Sequence, residues 1–319
     1  MLTRETFTGS WAGLPVAWTN DGQFDEETYR ADVARCCEAG VPGVYTGGTT
    51  GEFYAMEFDE FKAVARATVE ECRAGGKPAM IGCTSTYTLG VARRVAYAAE
   101  IGADAIQVAL PYWMEVGDDQ IVPFFKKVAQ ASGGLPLSIY ETNRAKKALT
   151  VEQHRAIKDA LPGYLMVKAN AGTVGCTPEG CAALSEFVNV FVGEDKWGTL
   201  GRLGAKGCCS SMVYWNPRVI LELWQRVEQQ DWASVDATCR RLNELLEFLH
   251  MRFGSRGFTD TAFDRLGGVT NGLLKTSLGS RGPYPSATRE DVETLRCWYR
   301  DHFPDMLLLN TTVSGSACV

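Results

Sequence analysis

Two hydrophobic periods alternate along this chain. Short apolar runs, rich in branched and aromatic side chains and bounded by glycine or proline, predict buried strands at residues 13–18, 43–48, 78–83, 105–110, 137–140, 164–168, 190–193 and 207–211. Between them the spacing turns helical. Phe61, Val64, Ala65, Thr68, Val69 and Cys72 share one face of a predicted helix that Gly75 and Gly76 stop, and similar helices at about 25–39 and 89–101 end at Gly40 and Gly102. Repeats of strand, loop, helix and glycine, with strands apolar on both faces, predict an α/β chain closed into a (β/α)8 TIM barrel. An open doubly wound sheet is the alternative, because strand order is not written in a single sequence. After the last strand only helical patterns follow, at 217–227, 232–251, a broken stretch at 267–278, and 289–302. The expected organisation is a barrel over 1–230, additional C-terminal helices over 231–309 that brace the same domain, and a disordered tail over 310–319.

Composition narrows the function classes. The 319 residues are 45% hydrophobic and 22% charged, which suits a globular chain with a large core. A formal net charge of −6 disfavours nucleic acid or an anionic membrane as partner, and no basic stripe offsets it. The N-terminus does not read as a secretory signal, and no apolar run reaches the ~18 residues of a membrane span, so a cytoplasmic location is expected. Eleven cysteines, an odd number scattered through apolar stretches, read as reduced core thiols rather than a disulfide scaffold. Neither they nor His154, His250 and His302 have metal-ligand spacing, so no metal is expected.

In such a barrel, chemistry collects where the strands end. The predicted strand at 164–168 ends on a lysine. Alternation would turn Met166 and Lys168 to the interior and Leu165 and Val167 to the helices. A buried ammonium is costly, and the expected response is a depressed pKa and a neutral amine able to form a Schiff base with a carbonyl. A lysine whose head escapes to solvent is the plainer reading of that residue alone. The second strand runs into Gly47-Gly48-Thr49-Thr50-Gly51-Glu52, which is neither a Walker loop nor a Rossmann fingerprint. The hydroxyls and amides of Thr49 and Thr50 suit a carboxylate, with Gly48 letting the backbone come close; a tight rim turn is the structural alternative. Tyr140 shares the interior face of its strand with Ser138, where a phenol can relay protons if a neighbour such as Thr50 shares its hydrogen bond. It also reads as a buried tyrosine with a satisfied hydroxyl. Ser211 ends the last strand at the same rim.

Gly48-Thr49-Thr50-Gly51-Glu52, the tyrosine ending strand five and the lysine ending strand six, in that order and spacing, resemble the family of dihydrodipicolinate synthase and N-acetylneuraminate lyase. The likeness covers nearly the whole chain and includes Lys275-Thr276-Ser277-Leu278-Gly279. It implies an imine between Lys168 and pyruvate or another 2-keto acid, the acid's carboxylate held by Thr49 and Thr50, and Tyr140 as proton shuttle. It also implies a homotetramer and no metal or organic cofactor. The departures bear on the substrate. The family's Tyr-Asn-x-Pro is Tyr140-Glu141-Thr142-Asn143 here, and the arginine that grips the synthase's second substrate falls at Ala145, beside Arg144. The relay tyrosine donated across a subunit interface aligns with Trp113, so Tyr112 takes that role or it is absent. Gly193-Glu194-Asp195 is similar to the segment that binds sugar hydroxyls in the lyases, which makes Gly193 and Asp195 candidate contacts to a polyhydroxylated substrate. The expected activity is therefore a class I aldolase-type lyase, cleaving or condensing reversibly through the imine. Dehydration of a keto-deoxy sugar acid through the same imine and a non-catalytic keto-acid-binding protein are the rivals.

Overall fold

A computed structural model describes residues 2–308. Its strands are β1 Gly9–Gly13, β2 Val44–Thr46, β3 Ala79–Gly82, β4 Ala105–Val108, β5 Leu137–Glu141, β6 Tyr164–Ala169, β7 Asn189–Phe191 and β8 Ala205–Ser210. They pair in parallel in chain order, and β8 returns to β1 through Ser10 opposite Cys208 and Trp11 opposite Cys209, so the sheet is a closed barrel and not an open one. Around it lie α1 Glu26–Glu38, α2 Phe58–Ala74, α3 Thr88–Glu100, α4 Asp118–Ala131, α5 Val151–Ala160, α6 Pro178–Ser185, α7 Trp197–Leu200, α8 Met212–Trp215 and α9 Pro217–Glu228. Three further helices follow: α10 Trp232–Phe253, α11 Asp260–Thr270 and α12 Arg289–His302. The tail expected over 310–319 lies outside the described residues. No helix among the described residues is long and apolar enough to cross a membrane.

The first strand departs from the expectation. The run at 13–18 is buried, yet the ladder ends with the Leu14 amide on the Tyr45 carbonyl at 3.0 Å. Pro15 follows and has no N–H to continue it. The true strand is the small, polar Gly9-Ser10 followed by Trp11, which hydrophobic content does not reveal. Phe7, Trp11, Tyr45, Met80, Ala105, Met166 and Phe191 pack together inside the barrel and fill it below the rim. Met166 is therefore interior and Val167 belongs to the outer core, as alternation requires, whereas Leu165 packs against the interior cluster beside a register shift in the β5–β6 pairing.

The stretch read as broken at 267–278 is another departure. Helix α11 begins earlier, at Asp260, and runs straight through Gly267 and Gly268. These glycines are points of close packing: a Cβ on Gly267 would lie 2.1 Å from the Trp215 ring, and one on Gly268 would lie 2.6 Å from Leu274. Cys36, Cys72, Cys83, Cys181 and Cys208 are free, buried thiols.

Candidate active site

The register of the sheet brings the first residues together. Tyr140 on β5 pairs with Lys168 on β6, both at the carboxyl end of the barrel. The Lys168 amine sits 4.2 Å from the centre of the Tyr140 ring and 5.7 Å from that of Tyr45, so it lies among ring faces that attract a cation. The Tyr140 hydroxyl is 3.1 Å from Thr49 Oγ1 and accepts from Asn170 Nδ2 at 3.2 Å. Thr49 is thus the threonine that shares the tyrosine's hydrogen bond, in place of Thr50. Thr50 instead donates to Asp264 Oδ2 at 2.6 Å.

These groups face a cavity of about 200 Å³, whose walls include Thr50, Tyr140, Lys168, Gly193, Ser211 and Asp264. Lys168 is half-buried, and its amine's pKa moves up rather than down. Burial pulls its pKa down, but the Tyr140 phenol, the Cys209 and Cys208 thiols and the Asp260 carboxylate, as anions, push it up by more. The expected depression is corrected: neighbours contributed by other strands outweigh burial. Asp264 moves in the opposite sense to a surface aspartate. Burial pushes its carboxyl up to about 7, Asp260 adds to the rise, and the Thr50 hydroxyl, the Ser211 hydroxyl and the Lys168 charge pull it back. Glu194 lines the cavity too, its carboxyl raised by burial and satisfied by the hydroxyl of Ser210 and by Cys208 Sγ at 3.2 Å.

The other expected residues are divided. Thr49 and Tyr112 line a second cavity, which also has Tyr140 in its lining. Gly48 is a packing position, since a Cβ there would lie 2.2 Å from the Tyr45 hydroxyl. Asp195 is outside both cavities, with its carboxylate 2.8 Å from Lys196. Trp113 is 72% exposed, so its indole projects from the rim. Glu141 points away from the cavity: it accepts from the Leu149 amide at 3.2 Å and lies 3.6 Å from His154 Nε2, whose other ring nitrogen is 2.9 Å from the Tyr164 hydroxyl. The substitution at that position therefore acts behind the strand. Arg144 reaches the second cavity and pairs with Asp260 at 3.0 Å.

Sequence reasoning missed Asn170, Asp260 and Asp264. Asn170 was within reach, because alternation beyond Lys168 returns to the same face two residues later. The two aspartates carry no such signal, since they lie between the helix expected to end at 251 and the broken stretch expected from 267, where the sequence predicts no element. Among the described residues no cluster of three or more histidine, cysteine, aspartate or glutamate side chains could hold a metal.

Known proteins bear on this geometry. A family model described as the dihydrodipicolinate synthetase family matches residues 6–278. A 4-hydroxy-tetrahydrodipicolinate synthase of Brucella abortus is 28% identical over 267 residues, which cover 83% of this chain and 90% of the relative. Among solved structures, a prophage protein of E. coli K12 belonging to the dihydrodipicolinic acid synthase family, in complex with pyruvate, superimposes with a TM-score of 0.83 at 22% identity, covering 92% of this chain and 98% of the other. Dihydrodipicolinate synthase from Aquifex aeolicus gives 0.82 at 23% identity, covering 95% and 100%. At these identities the two structures establish the shared barrel alone.

Proposed function

From the premise that this chain belongs to the dihydrodipicolinate synthetase family and is a lyase of that type, we propose that it forms an imine between Lys168 and pyruvate or another 2-keto acid and makes or breaks a carbon–carbon bond beside it. One observation carries the reading: the Lys168 amine lies 4.2 Å from the ring of Tyr140, whose hydroxyl is bonded to Thr49 of the turn that suits a carboxylate.

The residues divide the work as follows. The keto acid's carboxylate sits on the hydroxyls and amides of Thr49 and Thr50. A proton must leave the Lys168 amine, whose pKa is raised, before it attacks; a carboxylate at Asp264, on the same cavity wall, is a candidate acceptor. Attack on the keto carbon gives a carbinolamine, whose hydroxyl leaves as water with a proton supplied through Tyr140. The protonated imine then takes up the electron pair of the bond that breaks. This scheme needs no metal or organic cofactor. The proposed assembly is a homotetramer in the cytoplasm, and sedimentation of the purified protein tests the assembly.

Borohydride reduction in the presence of pyruvate is the direct test. It is expected to leave a stable mass addition on Lys168, and Lys168→Ala is expected to lose both trapping and turnover. Unchanged activity in that variant refutes the scheme.

A further inference from the structure

Tyr140 lines two cavities. The second cavity, of about 220 Å³, shares Tyr140 with the lysine's cavity and has Thr49 in its lining. Phe53, Tyr54, Tyr112 and Tyr284 enclose it, and their rings meet edge to face: Phe53 with Tyr54 at 5.6 Å, Phe53 with Tyr112 at 5.8 Å, and Tyr54 with Tyr284 at 5.1 Å. These rings come from three separate segments, following β2, following β4, and between α11 and α12. We infer that this aromatic box seats the second reactant and that the reactant is an aromatic aldehyde, an inference that rests on the imine at Lys168.

Size, charge and hydrogen bonding agree on this class. An apolar cavity of ~150 Å³ accepts a benzene ring, so the larger volume here leaves room for a formyl group and a ring substituent. Edge-to-face walls favour a further ring over an aliphatic chain. Arg144 reaches the cavity with its charge already matched by Asp260 at 3.0 Å, so an aldehyde carrying an acid group would have to displace that partner. The lining surface is mostly apolar, which suits a ring better than a polyhydroxylated chain, and the Thr84 and Thr142 hydroxyls each already hold a backbone amide, that of Ala109 at 3.0 Å and that of Arg144 at 3.3 Å. The Thr259 hydroxyl, buried without a partner on the same wall, suits a single polar substituent such as a phenol.

The step balances. The Tyr140 phenolate left when the carbinolamine loses water takes a methyl proton from the imine; the resulting enamine attacks the aldehyde carbon through that carbon, and the new carbon–carbon bond forms as the carbonyl π pair moves to oxygen. That oxygen takes a proton from the Tyr140 hydroxyl. Water then adds to the imine, releases a 4-aryl-4-hydroxy-2-oxobutanoate and restores the amine, replacing the water lost when the imine formed.

Two measurements on the full chain separate this inference from the imine reading. In thermal denaturation, 2-hydroxybenzyl alcohol is expected to raise Tm, and Tyr54→Ala or Tyr284→Ala to abolish the rise. No rise in the wild type overturns the aromatic box, whatever borohydride does. With pyruvate, benzaldehyde is expected to exceed glyceraldehyde in kcat/KM by about 10-fold or more. Equal or reversed values alongside intact trapping of pyruvate on Lys168 overturn the inference and leave the imine reading standing. Loss of trapping with the Tm rise retained overturns the imine reading and, with it, the role given to the box.

Discussion

Replacing Asp264 with asparagine keeps an acceptor for the Thr50 hydroxyl and removes a titration from the site. Burial pushes this carboxyl up to about 7 in the folded chain, whereas an aspartate in an unfolded chain titrates near ~3.9. The folded state therefore binds the proton more tightly. Its contribution is fully present below about pH 4 and is lost as pH rises through about 7. A gap of about three pH units at ~1.36 kcal/mol each makes that loss about 4 kcal/mol. Asp264 is only 7% exposed, so solvent screening takes little from this figure. With an unfolding entropy of ~2.1 cal/mol/K per residue, 319 residues convert 1 kcal/mol into about 1.5 °C, and the full effect into about 6 °C. Calorimetric Tm values for wild type and Asp264→Asn between pH 4 and pH 8.5 are the assay. Asp260 and Lys168, whose charges act on Asp264, shift with it, while the remaining groups titrate alike in both proteins, so the difference reads this cluster. The variant is expected to gain on the wild type steadily as pH rises and to level off above about pH 8. Two pH profiles that stay parallel within about 1 °C refute the argument, because burial would then not be setting this pKa.

Two further outcomes follow from the same geometry. Tyr140→Phe removes the hydroxyl shared by Thr49 and Asn170 and is expected to slow imine formation by about 10²-fold or more, read as the rate of borohydride trapping; a near-normal rate moves the proton relay elsewhere. Arg265→Met leaves the fully buried Glu52 carboxylate without its cation and is expected to cost about 3–5 kcal/mol of stability in denaturant unfolding, while a loss under about 1 kcal/mol means that Trp18 and the Arg281 amide suffice to hold Glu52.

Lys168 and Tyr140 were legible because a strand has a period of two and both residues end strands with strong apolar content. The same rule misplaced the first strand, since it reads hydrophobicity and not hydrogen bonding. Gly9 and Ser10 are ladder residues without apolar side chains, and the buried run beyond Leu14 is cut from the ladder by Pro15. The choice between Thr49 and Thr50 was beyond sequence. Adjacent residues in a turn obey no fixed alternation, and only the folded rim sends one to Tyr140 and the other to Asp264. The lysine's protonation was beyond it for another reason: burial is a local property, but the opposing contributions come from β5, β8 and α11. Asp264 stayed hidden because no helix is expected between residue 251 and Gly267, where the two glycines read as a break although Gly267 is the contact that lets α11 pack on Trp215.

That helix changes what the C-terminal region does. Asp260 and Asp264 are four residues apart and so share a face, and Arg265 adjoins them. Asp260 binds Arg144 beyond β5, Asp264 binds Thr50 beyond β2, and Arg265 binds Glu52 beyond β2 and the Val16 carbonyl beyond β1. A helix added merely to brace the barrel would meet it through apolar side chains, yet these three contacts are charged and reach the loops that shape both cavities. Replacing a buried ion pair with apolar groups of matched volume is often neutral for stability or better, so the net stability supplied by Glu52 and Arg265 is a weak reason for their presence. Position is the stronger one. Glu52 holds a left-handed backbone conformation, φ 52°, three residues beyond Thr49, and its carboxylate is fixed by Arg265, Trp18 and the Arg281 amide. Fixing that carboxylate fixes the turn, and the turn sets where Thr49 meets Tyr140 and where Thr50 meets Asp264. Helix α11 is thus one wall of the candidate site, and the region after the barrel holds the loops that shape it.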